Sequence, residues 1–273
     1  MSLHTTLIAF EDLRPGMLLI EVSFDLGDTA AGERAYAAGH LPGAHYLHLD
    51  RDLSGEKTGP NGQFRGRHPL PDRAAFAARL RALGLSKSTQ VVAYDRQGGM
   101  YAARLWWMLR WIGHRAVAVL DGGPQGALTT ALPPVQPGDF EPGEALTTLL
   151  DADALRARLG KVRLIDARAP ERFRGEVEPL DTQAGHIPGA ANRLFKLNLQ
   201  ADGRFKPASE LRAEFEPLLA PFPAGEVVHQ CGSGVTACHN LLAMEVAQLP
   251  GSALYAGSWS EWSSDPARPV AKG

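Results

Sequence analysis

The sequence predicts an α/β protein of two domains, each a largely parallel sheet flanked by helices. Three observations carry this: short apolar strings alternate with amphipathic helical stretches, the alternation occurs twice with matched landmarks, and a stretch rich in proline and glycine separates the two occurrences. In the first half the strand-like strings lie near 18–22, 91–94 and 116–120. Apolar residues recur at helical spacing over 72–83, behind Pro71, and over 100–112. In the second half the spacing predicts strands near 162–166, 226–230 and 252–255, and helices near 151–159, 209–219 and 235–248. Strands joined through helices pair in parallel, because each crossover returns the chain to the same end of the sheet. Ligands of such sheets bind beyond the carboxyl ends of the strands.

The repeat can be followed residue by residue. Leu19-Ile20-Glu21-Val22, then Gly39-His40-Leu41-Pro42-Gly43-Ala44, matches Leu164-Ile165-Asp166-Ala167, then Gly185-His186-Ile187-Pro188-Gly189-Ala190. Val91-Val92-Ala93-Tyr94-Asp95 matches Val227-Val228-His229-Gln230-Cys231, and Val119-Leu120-Asp121-Gly122-Gly123 matches Leu254-Tyr255-Ala256-Gly257-Ser258. Landmarks in one order at a domain-sized period predict a duplicated domain, not a solenoid. Pro124, Pro133, Pro134, Pro137 and Pro142, with Gly126, Gly138 and Gly143, interrupt helix and strand alike. They place the boundary near 142, with domains at 1–142 and 143–273.

With 44% hydrophobic residues the chain can build a substantial core, and 28 basic against 30 acidic residues leave no cationic footprint for nucleic acid. No apolar run approaches the roughly 20 residues needed to cross a bilayer. Met1 to Glu11 lacks the basic patch and apolar stretch of a secretory signal. The only cysteines are Cys231 and Cys238, too few for a disulfide framework, so a cytoplasmic protein with reduced thiols is expected.

Cys231 ends an apolar strand and precedes Gly232-Ser233-Gly234-Val235-Thr236 and a helix. Glycines let successive N–H groups curl inward into a nest for an anion, and the following helix adds about half a positive charge. Such a cradle suits a thiolate, a persulfide or a bound oxyanion. A buried inert cysteine is the plain alternative for any free thiol, and it does not account for glycines placed directly after a strand end. Cys238 falls among Ala237, Leu241 and Leu242 and is expected in the core.

The string Cys231-Gly232-Ser233-Gly234-Val235-Thr236-Ala237 resembles the active loop of rhodanese-like sulfurtransferases. The duplicated Gly-His-x-Pro-Gly-Ala strings, Asp166-Ala167-Arg168 with Arg172-Phe173, and Gly257-Ser258-Trp259-Ser260-Glu261-Trp262 extend the resemblance over nearly the whole chain. It implies two rhodanese-like domains, the first catalytically silent because Asp95 stands where a cysteine would be. It implies double displacement, in which Cys231 takes a sulfane sulfur from 3-mercaptopyruvate or thiosulfate as a persulfide and gives it to cyanide or a thiol, a thioredoxin-like protein among the candidate acceptors. No metal and no organic cofactor are implied.

The resemblance also assigns roles. Arg172 matches a substrate-binding arginine, and residues 232–236 form the loop around the reacting sulfur. In mercaptopyruvate-specific relatives the histidine at the His40 position lies near the loop serine, here Ser233, which makes His40 a candidate proton relay with Asp28 to orient it. Read as part of a repeated turn, His40 and His186 are structural. Arg168 and Arg174 read as surface arginines, with Arg168 also able to brace its domain. Trp106, Trp107 and Trp111 read as core and interface.

For the donor, the absence of cationic side chains in the loop favours 3-mercaptopyruvate over the thiosulfate dianion. Against it, relatives specific for mercaptopyruvate carry a second arginine after a Glu-Pro pair, and here Glu178-Pro179 is followed by Leu180. Two alternatives remain open: a thiosulfate-preferring enzyme, and a sulfur-carrier or interaction module that hands persulfide to a protein partner. A Cys-x5-Arg phosphatase is excluded by Ala237, where the arginine would stand. Zinc at Cys231, Cys238 and His239 fits no usual paired spacing.

Overall fold

The computed structural model describes residues 3–273, so Met1 and Ser2 of the stretch read for a signal lie outside the described residues. The chain forms two compact units. The first contains β1 (Leu7–Ile8), β2 (Leu18–Glu21), α1 (Ala31–Ala38), β3 (His45–Tyr46), α2 (Leu49–Asp52), α3 (Arg73–Ala82), β4 (Val91–Tyr94), α4 (Ala102–Trp111) and β5 (Val117–Leu120). The second contains β6 (Thr148–Leu150), α5 (Ala152–Arg156), β7 (Arg163–Asp166), α6 (Pro170–Phe173), β8 (Ala190–Asn192), α7 (Ala208–Leu219), β9 (Val227–Gln230), α8 (Ala237–Val246), β10 (Ala253–Tyr255) and α9 (Ser258–Trp262).

Both sheets are wholly parallel, with strand orders β1-β5-β4-β2-β3 and β6-β10-β9-β7-β8. Counted from the start of each unit the two orders are identical, so the duplication seen in sequence is a duplication of topology. The central strands explain why: β4 and β9 are buried along their whole length, as strands covered on both faces must be. The four strands that the sequence pattern did not reveal, β1, β3, β6 and β8, are the sheet edges. They are two or three residues long, too short to show a period. The helix expected over 235–248 begins only at Ala237, because Cys231 to Thr236 is spent on a turn.

The units are not the two halves cut at 142. The first comprises the chain up to Gly55, Pro71–Leu146 and Leu199–Phe205; the second comprises Glu56–Leu70, Thr147–Asn198 and Lys206–Gly273. Each half therefore lends a short segment to the other unit. Both segments are hairpins following the third strand of their half, closed by the bridges Thr58 to Phe64 and Leu199 to Phe205. The proline-rich join is not slack. Thr129 and His40 exchange backbone hydrogen bonds of 2.9 Å, Gly138 N donates to Arg81 O at 2.8 Å, and Gly143 N donates to Ile112 O at 2.9 Å.

Helix α4 is the buried spine of the first unit, with Trp106 and Trp107 in its core and Trp106 Nε1 donating to Thr5 O at 2.8 Å. In the second unit α8 packs on β9 and β10 and against α7, and Trp259 and Trp262 of α9 are fully buried. Asp72 caps α3 through Ala75 N (2.9 Å), and Asp151 caps α5 through Ala154 N (2.7 Å), each satisfying an otherwise orphaned donor. Among the described residues no helix is long and apolar enough to cross a membrane.

Candidate active site

Strand β9 lies between β10 and β7 and delivers Cys231 at its carboxyl end. The loop that follows folds back so that Gly234 N donates to Cys231 Sγ at 3.2 Å. Gly234 has φ +77°, and a Cβ there would fall 2.2 Å from Ala256 O, so only glycine fits this bend. The loop is clasped from behind by the start of α9. Cys231 N donates to Ser258 Oγ at 3.1 Å, Trp259 N to Cys231 O at 3.0 Å, and Ser260 N to Gly232 O at 2.9 Å. Ser258 holds a left-handed φ of +53°, at a cost of about 1–3 kcal/mol for a residue with a side chain. That backbone angle places its hydroxyl between Cys231 N and Tyr255 O.

The equivalent loop of the first unit displays the same anion-holding capacity with an internal anion. The Asp95 carboxylate accepts four backbone N–H bonds, from Gln97 (2.8 Å), Gly99 (2.8 Å), Tyr101 (2.7 Å) and Ala102 (2.9 Å). Burial pushes this carboxyl above its ordinary range while the four N–H groups pull it back. A carboxylate held by four N–H groups thus stands at the strand end where the second unit has a thiol that accepts from Gly234 N.

Around Cys231 the second unit assembles three largely buried guanidiniums and three buried carboxylates. Arg168 binds Asp166 (Nη2 to Oδ2, 2.7 Å), Glu178 (3.4 Å) and Gly185 O (2.7 Å), and stacks over the Trp259 ring at 4.8 Å. It is a brace, not a surface arginine. Arg174 is the exposed one, paired with Glu176 at 2.7 Å. Arg172 Nη2 donates to Glu178 Oε1 (2.7 Å) and Asp181 Oδ2 (3.1 Å), and Arg67 Nη1 donates to the other oxygen of Asp181. Burial raises the Asp181 carboxyl against the pull of these two arginines. Both arginines border the loop: a Cβ on Gly232 would lie 2.7 Å from Arg67 Nη2 and 3.5 Å from Arg172 Nη1.

Ser233 is buried, and its Oγ shares a 2.7 Å hydrogen bond with His68 Nδ1. His40 does not occupy this place. Its Nδ1 bonds Tyr36 O at 2.9 Å, its Nε2 bonds Ala131 O at 3.2 Å, and its ring stacks on Tyr36 at 3.9 Å, all in the first unit. His186 repeats the arrangement on Phe173, with a 2.8 Å bond to Phe173 O and a ring distance of 3.8 Å. The repeated turn therefore uses its histidine structurally in both units, and the relay expected of His40 is corrected. Asp28 is exposed and paired with Arg34.

Of the remaining expected loop residues, Val235 is buried with its carbonyl accepting Cys238 N (3.1 Å), and Thr236 O accepts His239 N (3.1 Å), so both serve the start of α8. Cys238 is fully buried with Sγ on Gly234 O at 3.4 Å. Burial depresses His229, behind Cys231 on β9, to about 3, which keeps it neutral. No cluster of three His, Cys, Asp or Glu side chains able to hold a metal occurs among the described residues.

Arg67 and His68 were not singled out from the sequence, because the repeat directs attention to matched positions and these have no match. The usable signal was the mismatch itself. Phe64 is followed by a basic insert up to α3, whereas Phe205 runs almost directly into α7.

Comparison with known proteins agrees with this architecture. The rhodanese-like domain model matches residues 17–127 and again 151–265. The chain is 49% identical to a probable 3-mercaptopyruvate sulfurtransferase of Pseudomonas aeruginosa over 95% of this chain and 93% of that protein. It is 40% identical to the putative thiosulfate sulfurtransferase SseB of Mycobacterium tuberculosis over 90% of this chain and 88% of that one. The crystal structure of SseA from Escherichia coli, described among 3-mercaptopyruvate sulfotransferases, superposes with a TM-score of 0.78 at 28% identity, covering 94% of this chain and 99% of its own. With the domain matched twice and relatives of this identity along almost its full length, the chain belongs to the rhodanese-like family.

Proposed function

We propose that this protein is a sulfurtransferase that carries sulfane sulfur as a persulfide on Cys231 and prefers 3-mercaptopyruvate as donor. The observation that carries the reading is the seat of Cys231 Sγ, at a central strand end with Gly234 N on the sulfur and two arginines bordering the adjacent Gly232. The thiolate attacks the donor's sulfur, the donor's C–S bond breaks, and its electron pair goes to carbon as the enolate of pyruvate. The enolate takes up a proton, equivalent to the one the donor thiol gives up, and leaves as pyruvate. A thiophile, cyanide or a thiol (free or on a thioredoxin-like protein), then attacks the outer sulfur and regenerates the Cys231 thiolate. The two cysteines, both free, suit a reducing cytoplasmic setting.

The donor preference rests on charge and on proton supply. Arg67, Arg168 and Arg172 are matched by Asp166, Glu178 and Asp181, and residues 232–236 add no cation, so the site is better balanced for a monocarboxylate than for the thiosulfate dianion. The hydrogen-bonded pair Ser233 and His68 can pass a proton to the departing enolate, a demand sulfite does not make. The thiosulfate reading is favoured by Leu180 in place of a second arginine after Glu178-Pro179. Catalytic efficiencies with the two donors, at one pH and with cyanide as common acceptor, decide between them. A higher value for mercaptopyruvate is expected, with Ser233→Ala losing more on that donor than on thiosulfate. A clear thiosulfate advantage would reverse the choice.

A further inference from the structure

A cavity of about 630 Å³ lies between α1, α2 and α3 of the first unit, beside the end of β3, a size that suits a small organic ligand. Every residue lining it belongs to that unit. We infer that it binds a free α-amino acid whose side chain is apolar or aromatic.

The repeat explains why the space exists. Leu47 N donates to Glu21 O at 3.0 Å, and Arg193 N donates to Asp166 O at 2.9 Å, so the two residues hold one position in the two units. Arg193 sends its guanidinium to Glu214 of α7 (2.7 Å) and over the Phe215 ring (4.2 Å). Leu47 is shorter and uncharged and makes no such bridge to α3. The space between α3 and residues 46–54 is left to the cavity.

Wall and rim differ in chemistry. Tyr36, Tyr46 and Phe76 form the wall. The two tyrosine rings lie 5.4 Å apart, and their hydroxyls donate to Ala44 O (2.7 Å) and Ser23 O (2.9 Å), so they offer ring surface to a ligand. At the rim stand two ion pairs, Arg51 Nη2 with Glu33 Oε2 (2.9 Å) and Arg79 Nη2 with Asp52 Oδ1 (3.0 Å). Nη1 of each arginine and Oε1 of Glu33 have no partner among the described residues. Burial above all, and then Glu33, push the Tyr46 hydroxyl up to about 12 while Arg51 pulls it down, so the rim charges act on this wall. Ser54 lines the same cavity; it is more than nine-tenths buried, and its hydroxyl has no partner among the described residues. A buried hydroxyl left unpaired is costly, and a polar ligand group removes that cost.

The charges select the ligand class. A carboxylate alone would gain a guanidinium edge but face Glu33 and Asp52, and an ammonium alone would face Arg51 and Arg79. A zwitterion sets each sign against its opposite, with its carboxylate on a guanidinium edge, its ammonium on Glu33 and its side chain on the aromatic rings.

The test measures binding to the full-length protein by ligand-observed NMR. The probes are L-phenylalanine, L-tyrosine, L-methionine and L-leucine, each with the matching amine that lacks the carboxylate and the matching acid that lacks the ammonium. Two variants are compared with wild type, and thermal melts establish that they are folded. Ala75→Trp fills the cavity from an exposed position on α3 without removing a charge, and Arg51→Met opens a solvent-exposed ion pair. At least one of the four amino acids is expected to bind wild type saturably, roughly tenfold or more tightly than its two single-charge counterparts. Arg51→Met should weaken that binding about tenfold, and Ala75→Trp should abolish it. Saturable binding by none of the four, equal binding by an amino acid and its single-charge counterparts, or unchanged binding in either folded variant overturns the inference.

Discussion

At the scale of single residues, Arg172 is the position where loss is easiest to interpret. Its removal orphans neither buried carboxylate, because Glu178 keeps Arg168 and Asp181 keeps Arg67. Arg172→Ala should therefore fold and lose a charge-assisted bond to the donor, about 1.5–3 kcal/mol or roughly 10- to 150-fold in kcat/KM. Stopped-assay kinetics on mercaptopyruvate with a thermal melt alongside check this, and wild-type kinetics in a folded variant would remove Arg172 from donor binding. Cys231 and Arg172 stood out in the sequence because a glycine-rich turn after an apolar strand, and a family position, each mark a single residue, and the structure brings both to the loop at Gly232. His40 was named because a family position was carried onto the histidine of the repeated turn, and His68 lies in a segment with no counterpart in the second half. Only the fold shows that His40 spends both ring nitrogens on backbone carbonyls while His68 reaches Ser233.

At the scale of elements, the central strands and long helices were legible, because β2, β4, β7 and β9 each contain at least two consecutive aliphatic residues and α3, α4, α7 and α8 are long enough to show a period. The edge strands were not, and neither was the exchange of hairpins, which depends on contacts far apart in sequence. That exchange has a functional consequence. A protein of residues 143–273 lacks Glu56–Leu70, and with it Arg67, His68 and the backbone that bonds Ser260. The purified fragment is expected to lose most sulfur-transfer activity or to be insoluble. Activity equal to that of the full chain would show that the first half contributes nothing to the site.

At the scale of the whole molecule, one topology is built twice and its two central loops differ in the group they hold. The loop after β4 closes on its own carboxylate through four N–H bonds, and the loop after β9 presents a thiol. Cys238 lies in the first turn of α8, fully buried, with its Sγ turned to Gly234 O. The account therefore requires one sulfur-carrying atom in the entire chain. Intact-mass measurement after incubation with mercaptopyruvate, on wild type, Cys231→Ser and Cys238→Ser, tests this most directly. Wild type and Cys238→Ser should gain the mass of one sulfur atom that cyanide removes, and Cys231→Ser should gain none. A cyanide-removable sulfur on Cys231→Ser would contradict the account.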